Sequence, residues 1–172
     1  AKLSIAVQVV DSHPPVVSAS AIEGFVDENS PVGTRVLSEN GQPIYFTVTD
    51  PDIAEDDPVP EYVFELTTTA FHVDNNGILV VNDGDLDRDP PNESRYAFQV
   101  VAHQLDSIPG KGSSAPLSIR VNLNDVNDNS PRLPTLSPVT IQAGEGVRTV
   151  TQVQARDNDE GAFAKIMYSI YH

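Results

Sequence analysis

The chain has 172 residues and a net charge of −15, because 25 Asp and Glu residues stand against 10 Lys and Arg residues. So acidic a chain repels phosphate backbones, which excludes nucleic acid as a partner, yet 39% of its residues are hydrophobic, enough for a folded core. It has no cysteine, which excludes disulfide scaffolds, thiol catalysis and cysteine-based zinc sites.

Short runs of alternating apolar and polar residues fill the chain, and 14 prolines and 10 glycines interrupt them. A period of two is typical of β-strands, and helical periodicity is almost absent. No run approaches the roughly 18 apolar residues that a membrane span requires. In chain order, the predicted strands lie at 3–9, 17–26, 33–38, 44–49, 61–66, 70–73, 78–81, 96–100 and 117–123.

The strands between residues 16 and 124 predict an all-β fold, a seven-stranded Greek-key β-sandwich of immunoglobulin-like type. A weak internal repeat indicates sandwiches in tandem, because Val-Asp-Ser-His-Pro at 10–14 resembles Asn-Asp-Asn-Ser-Pro at 127–131. The chain opens in a strand pattern without a signal peptide, so we expect a piece of a longer protein. The expected units are the last strand of a preceding repeat (1–10), a linker (11–15), a complete repeat (16–124), a second linker (125–131) and the first two or three strands of a following repeat (132–172).

Acidic residues collect in short segments, which favours calcium as the cation that balances them. Calcium takes roughly six to eight oxygen ligands, from carboxylates, amides and backbone carbonyls. Segment 125–129 is the densest, with Asp or Asn at four of five positions, and the Pro131 that follows favours an extended course. Any single Asp-x-Asp is equally compatible with a solvated turn. An EF-hand over 83–94 is excluded, since Arg88 replaces its glycine and Ser94 its final glutamate.

Four motifs occur in the order that cadherin repeats use. Asp-Val-Asn-Asp-Asn-Ser-Pro at 125–131 resembles the family's linker signature, and Glu-Asn-Ser-Pro-Val-Gly-Thr at 28–34 resembles its early glutamate motif. Leu-Asp-Arg-Asp at 86–89 resembles its Leu-Asp-Arg-Glu motif, and Asp-Asn-Asp-Glu-Gly at 157–161 its paired aspartates. The chain thus resembles a cadherin superfamily ectodomain of tandem, somewhat degenerate repeats.

The resemblance implies about three calcium ions at the 125–131 junction, where carboxylates, amides and carbonyls of three segments meet. One departure is Asp89, which stands where the family has glutamate and is one methylene shorter. The implied ligands are Glu28, Asp87 and Asp89 from the repeat, Asp125, Asn127 and Asp128 with the carbonyls of Val126 and Asn129 from the linker, and Asp157 and Asp159 from the following repeat.

The upstream junction around 8–14 departs further from the family pattern. Gln8, Ser12 and Gln104 stand where the family has acids or asparagine, so we expect few or no calcium ions there and a hinge. In the following repeat, Gln142 replaces the early glutamate, which predicts a weakened site beyond it. Candidate weak ligands at the upstream junction are Asp11, Asp50 and Asp52.

The function that the resemblance implies is calcium-dependent cell–cell adhesion on the extracellular side of the plasma membrane, within a single-pass protein. Its partner would be another cadherin-like ectodomain, homophilic or heterophilic, with no membrane contact by this segment. The alternative is a non-adhesive receptor that binds an extracellular ligand through the same rod. An enzyme with a metal–nucleotide at Asp-x-Asp is excluded, because the sequence predicts neither helices nor a Gly-rich phosphate loop. Asn92-Glu93-Ser94 is a candidate N-glycosylation sequon.

Overall fold

The computed structural model describes residues 12–53, 56–105, 112–141, 144 and 149–170, and all regular elements there are β-strands. None of these described residues forms a helix that could cross a membrane. The strands are β1 (Val16–Ala19), β2 (Glu23–Asp27), β3 (Phe46–Thr49), β4 (Tyr62–Leu66), β5 (Phe71–Val73), β6 (Leu79–Val81), β7 (Arg95–Gln104) and β8 (Leu117–Asn124).

The strands form two layers. One layer is a four-stranded sheet in the order β2-β8-β7-β4, in which β2 runs parallel to β8 and the other neighbours are antiparallel. The other layer contains the antiparallel pairs β1-β3 and β5-β6, which the isolated bridge between Tyr45 and Ile78 connects. The predicted all-β sandwich is therefore confirmed.

Aromatic side chains join the two layers in the core. Phe71 of β5 is 1% exposed, and its ring lies edge-on to Tyr96 and stacks on Phe98, with ring centroids 5.4 and 5.6 Å apart. Gly24 of β2 permits a close approach, because a Cβ there would lie 2.5 Å from Val36 Cγ1. Such contacts hold the four-stranded sheet, and hence its ends, in a fixed position relative to the second layer.

Two predicted strands differ from the structure. The predicted strand 17–26 is two strands, because the chain crosses between the layers at 20–22. The predicted strand 33–38 makes only isolated bridges, since Arg35 pairs with Val80 whereas Leu37 pairs with Phe25 and Pro43. Val36 is fully buried in the core, but the backbone of this segment changes partner too often to form a ladder.

The parallel pairing of β2 and β8 brings two acidic segments to one end of the sheet. Asp27 and Asn124 are register partners at the last position of both strands, so the residues that follow, Glu28 and Asp125, leave the sheet side by side. The Glu28 N–H donates to the carbonyl of Asn124 at 3.0 Å. The loop after β6 reaches the same end, where the Asn29 N–H donates to the carbonyl of Leu86 at 2.7 Å.

Between residues 132 and 170, the described residues form no strand, although two or three were expected there. Arg132 and Arg156 form an isolated antiparallel bridge there, and their N–H groups donate to each other's carbonyls at 2.8 and 2.9 Å. A ladder requires partners along its whole length, and here they meet at a single position. That bridge brings Arg156 next to Arg132, so the acids at 157–160 begin beside the end of the 125–131 segment.

Candidate metal centre

Two groups of carboxylates lie next to each other at the end of the sandwich. One oxygen each from Glu28, Asp89 and Asp125 lies within 4.8 Å of the others, and the same holds for Asp89, Asp128 and Asp159. Because Asp89 belongs to both groups, the five carboxylates form one continuous cluster. Four chain segments that are distant in sequence contribute to it, and each contains one of the four motifs.

Glu28 is the most deeply buried member, at 2% exposure. Its Oε1 accepts from the Val126 N–H and its Oε2 from the Arg88 N–H, both at 2.8 Å, so it connects the 86–89 loop with the 125–131 segment. Burial raises the pKa of Glu28, and the charges of Asp89 and Asp128 add to that rise, whereas the two backbone donors oppose it.

Asp89 lies at the centre of the cluster and is also buried. Its Oδ2 accepts a hydrogen bond from the side-chain amide of Asn129. Burial is the main cause that raises the pKa of Asp89; the amide of Asn129 opposes it, and the charges of Asp128, Asp87 and Asp159 raise it further. The chain thus concentrates negative charge around a carboxylate that it shields from water.

Two buried carboxylate oxygens in the cluster have no hydrogen-bond partner among the described residues: Asp125 Oδ1 and Asp159 Oδ2. The second oxygen of each is engaged, since Asp125 Oδ2 accepts from the Glu160 N–H at 2.9 Å and Asp159 Oδ1 from the Asn129 N–H at 3.2 Å. A buried acceptor without a donor is costly, and a hard cation satisfies it. The residues present therefore fit calcium.

Other predicted ligands lie around this cluster without entering either group. Asp87 accepts from the Asp89 N–H at 2.8 Å and from the Asn92 side-chain amide at 2.6 Å. Asp157 accepts from the Asp159 N–H at 3.2 Å, and Asn127 is exposed. The ligand roles of these side chains, and of the carbonyls of Val126 and Asn129, stay predictions.

Three residues of the cluster's surroundings were not predicted from the sequence. Arg88 Nη2 forms a 2.6 Å ion pair with Glu160 Oε2, and the Asn29 side chain donates to Asp128 at 2.5 Å from a backbone with φ of 57°. All three lie inside the quoted motifs. A search for oxygen ligands overlooks Arg88, because a cation that neutralises a neighbouring acid is not itself a ligand.

At the upstream segment, Asp52 is already engaged by the protein. Its carboxylate accepts from Ser12 and His13, and the imidazole of His13 is the main cause that holds the pKa of Asp52 far below its usual range. The same contact raises the pKa of His13. Asp50 accepts from the Asp52 N–H at 2.9 Å, and Asp11 lies outside the described residues.

The chain is similar to cadherins and protocadherins along its whole length. It is 55% identical to Cadherin-99C of Drosophila melanogaster over 174 residues, which cover 100% of this chain and 10% of that protein. It is 31% identical to Protocadherin-15 of Gallus gallus, over 99% of this chain and 9% of that protein. The chain therefore spans about a tenth of the length of these relatives. No family model matches it.

Solved structures show the same fold. The crystal structure of mouse Cadherin-23 EC22-24 superposes with a TM-score of 0.69 at 21% identity, covering 90% of this chain and 47% of that one. The extracellular domain of Protocadherin GammaB4 gives a TM-score of 0.66 at 23% identity, covering 91% of this chain and 23% of that one.

The two backbone bonds to Glu28 predict a structural role that does not require a metal. Replacing Glu28 by alanine leaves the N–H groups of Arg88 and Val126 without a charged acceptor, so we expect the free energy of unfolding in chelator to fall by about 2–4 kcal/mol. Urea denaturation measures this. E39A removes the same charge from an exposed position and should change stability by less than about 0.5 kcal/mol. Equal stability of E28A and E39A would contradict the role of Glu28.

Proposed function

The chain belongs to the cadherin superfamily, and from that premise we propose that it binds calcium at the 125–131 junction and so fixes the angle between two consecutive repeats. The supporting observation is the cluster of five carboxylates, in which two groups share Asp89. Two buried oxygens of this cluster have no hydrogen-bond donor among the described residues. Its relatives are adhesion proteins and not enzymes, so the chain is not an enzyme either.

The residues that would hold the ions come from three places. Glu28, Asp87 and Asp89 extend from the repeat at 16–124, and Asp157 and Asp159 come from the repeat that begins at 132. The linker would add Asp125, Asn127, Asp128 and the carbonyls of Val126 and Asn129. Calcium supplies positive charge, which turns the mutual repulsion of these carboxylates into attraction to a common centre.

The magnitude of that repulsion explains why the junction would respond to calcium. Two carboxylates about 4 Å apart repel by roughly 1 kcal/mol in water and by about 4 kcal/mol at an effective dielectric constant of 20. Because the members of each group lie within 4.8 Å of one another and are partly buried, several such terms act together. Without the ions, the acids at 157–160 should separate from the repeat at 16–124. About three ions at this junction would balance them.

The biological role follows from a rod of stiffened repeats. We infer adhesion between cells, in which this segment holds an adhesive surface at a set distance from the membrane, through homophilic or heterophilic contact with another cadherin-like ectodomain. The second candidate is a receptor ectodomain that binds an extracellular ligand through the same rod. Both place the chain outside the cell, where N-glycosylation of the exposed Asn92 stays a further prediction.

Substitution of Asp159 by asparagine should have opposite effects with and without calcium. In chelator it removes a charge that repels Asp89 and Asp128, so the melting temperature should stay unchanged or rise. In millimolar calcium it removes a ligand, so the melting temperature should fall and the stoichiometry should drop below the three or so ions of the unaltered chain. Calorimetry measures both quantities.

E39Q provides the matched control, because Glu39 is exposed and outside the cluster. The melting temperature of E39Q in each buffer, and its calcium stoichiometry, should equal those of the unaltered chain. Calcium that leaves the melting temperature of the unaltered chain unchanged would refute the calcium site.

Aggregation of beads that carry the complete ectodomain distinguishes the two roles. Adhesion between identical copies predicts that calcium causes the beads to aggregate and that chelator disperses them. Beads that stay dispersed in calcium, while the chain still binds the ion, would contradict homophilic adhesion and support the receptor or a heterophilic partner.

A further inference from the structure

The carboxylate of Asp52 accepts four hydrogen bonds from two adjacent residues of the upstream segment. Oδ2 accepts from the N–H groups of Ser12 and His13, both at 2.6 Å. Oδ1 accepts from the Ser12 hydroxyl at 3.1 Å and contacts His13 Nδ1 at 2.8 Å. The carboxylate is 16% exposed although the imidazole that covers it is 63% exposed. Both of its oxygens are therefore occupied by donors from the chain itself.

The corresponding aspartate downstream is Asp159, and its local turn is the same. In each Asp-x-Asp, the first carboxylate accepts from the N–H of the second aspartate, at 2.9 Å for Asp50 and 3.2 Å for Asp157. One backbone contact is also shared, since Ser12 aligns with Asn129 and the N–H of each donates to the second aspartate. The turn and this contact thus do not distinguish the two junctions.

The difference lies at the other carboxylate oxygen. Asp159 Oδ2 is buried, has no hydrogen-bond partner among the described residues, and lies near the acids Asp89 and Asp128. Asp52 Oδ1 instead meets a hydroxyl and an imidazole. Asp159 therefore presents a carboxylate oxygen without a donor among negative charges. Both oxygens of Asp52, by contrast, accept hydrogen bonds.

We propose that Asp52 is a hydrogen-bond acceptor and not a calcium ligand, and that its bonds fix Ser12 and His13 of the linker to the repeat at 16–124 without calcium. The imidazole and hydroxyl take the oxygen that a cation would require. An ion that approached Oδ1 would have to displace the Ser12 hydroxyl and the His13 imidazole. An ion that approached Oδ2 would have to compete with two backbone N–H groups that no side-chain rotation can remove.

This role goes beyond the proposed function and differs from the hinge that the degenerate sequence of this junction suggested. A linker that has lost calcium ligands is expected to flex, because the remaining acids repel one another. Here the side chains of Ser12 and His13, which stand where the downstream linker has Asn129 and Ser130, supply the hydroxyl and the imidazole that meet Asp52 Oδ1. The latch formed by Ser12, His13 and Asp52 shares no residue with the cluster at Asp89.

Hydrogen–deuterium exchange at the Ser12 and His13 amides, resolved by NMR on the complete 172-residue chain, tests the latch. We expect both amides to be protected to the same extent in chelator and in millimolar calcium. D52A should speed their exchange about tenfold or more, since bonds to a charged acceptor are lost. It should leave the number of bound calcium ions unchanged. D56A, which removes an exposed charge from the same loop, should leave exchange at both amides as it is.

Two results would overturn the proposal: protection of these amides that appears only with calcium, or loss of a bound ion in D52A. H13A is a second variant that keeps the core intact, because the side chain of His13 is mostly exposed. It should speed exchange at the two amides severalfold without lowering the melting temperature. Exchange as slow as in the unaltered chain would show that the imidazole does not contribute to the latch.

Discussion

Repulsion among carboxylates that the fold forces together is the constraint on which the rest of this structure depends. The parallel pair β2-β8 ends with Asp27 beside Asn124, so Glu28 and Asp125 emerge next to each other whatever their charge. The loop after β6 then adds Asp89, and the segment beyond the linker adds Asp159. Packing of the two layers fixes the first three, whereas Asp159 lies beyond the linker, where the described residues form an isolated bridge and no ladder. A cation is therefore most needed where no sheet of the described residues holds the carboxylate.

The two junctions show two solutions to the same electrostatic problem. Around Asp159 the chain gathers further acids and leaves an oxygen without a donor, which we interpret as a site for an external cation. Around Asp52 it supplies an imidazole, a hydroxyl and two N–H groups. The Asp-x-Asp turn is the same at both junctions, and the contrast comes from the side chains that meet it. The response of a junction to calcium is then set by its linker residues, and neighbouring junctions of one rod can differ.

Much of this could be predicted from the sequence, because period-two alternation and ordered acidic motifs are local signals with direct structural meaning. Alternation predicted the strands at 96–100 and 117–123, which the structure shows within β7 and β8. The resemblance of the motifs implied that Glu28, Asp89, Asp125, Asp128 and Asp159 lie at one site, and the structure brings them together. Alternation could not show that 33–38 divides its hydrogen bonds between β2 and β6, since that depends on tertiary partners. Nor could acid spacing reveal the Arg88–Glu160 ion pair or the donors to Asp52, which depend on side-chain directions across 72 and 40 positions of the chain.

The most direct test of the calcium-fixed junction is a distance distribution across it. The chain has no cysteine, so cysteines introduced at the exposed positions Ser118 and Thr151 provide the only two sites for spin labels. Pulsed electron paramagnetic resonance should give one narrow distribution in millimolar calcium and a broad one in chelator. Distributions of equal width in both buffers would contradict the account, because the angle of the junction would then not depend on the ion.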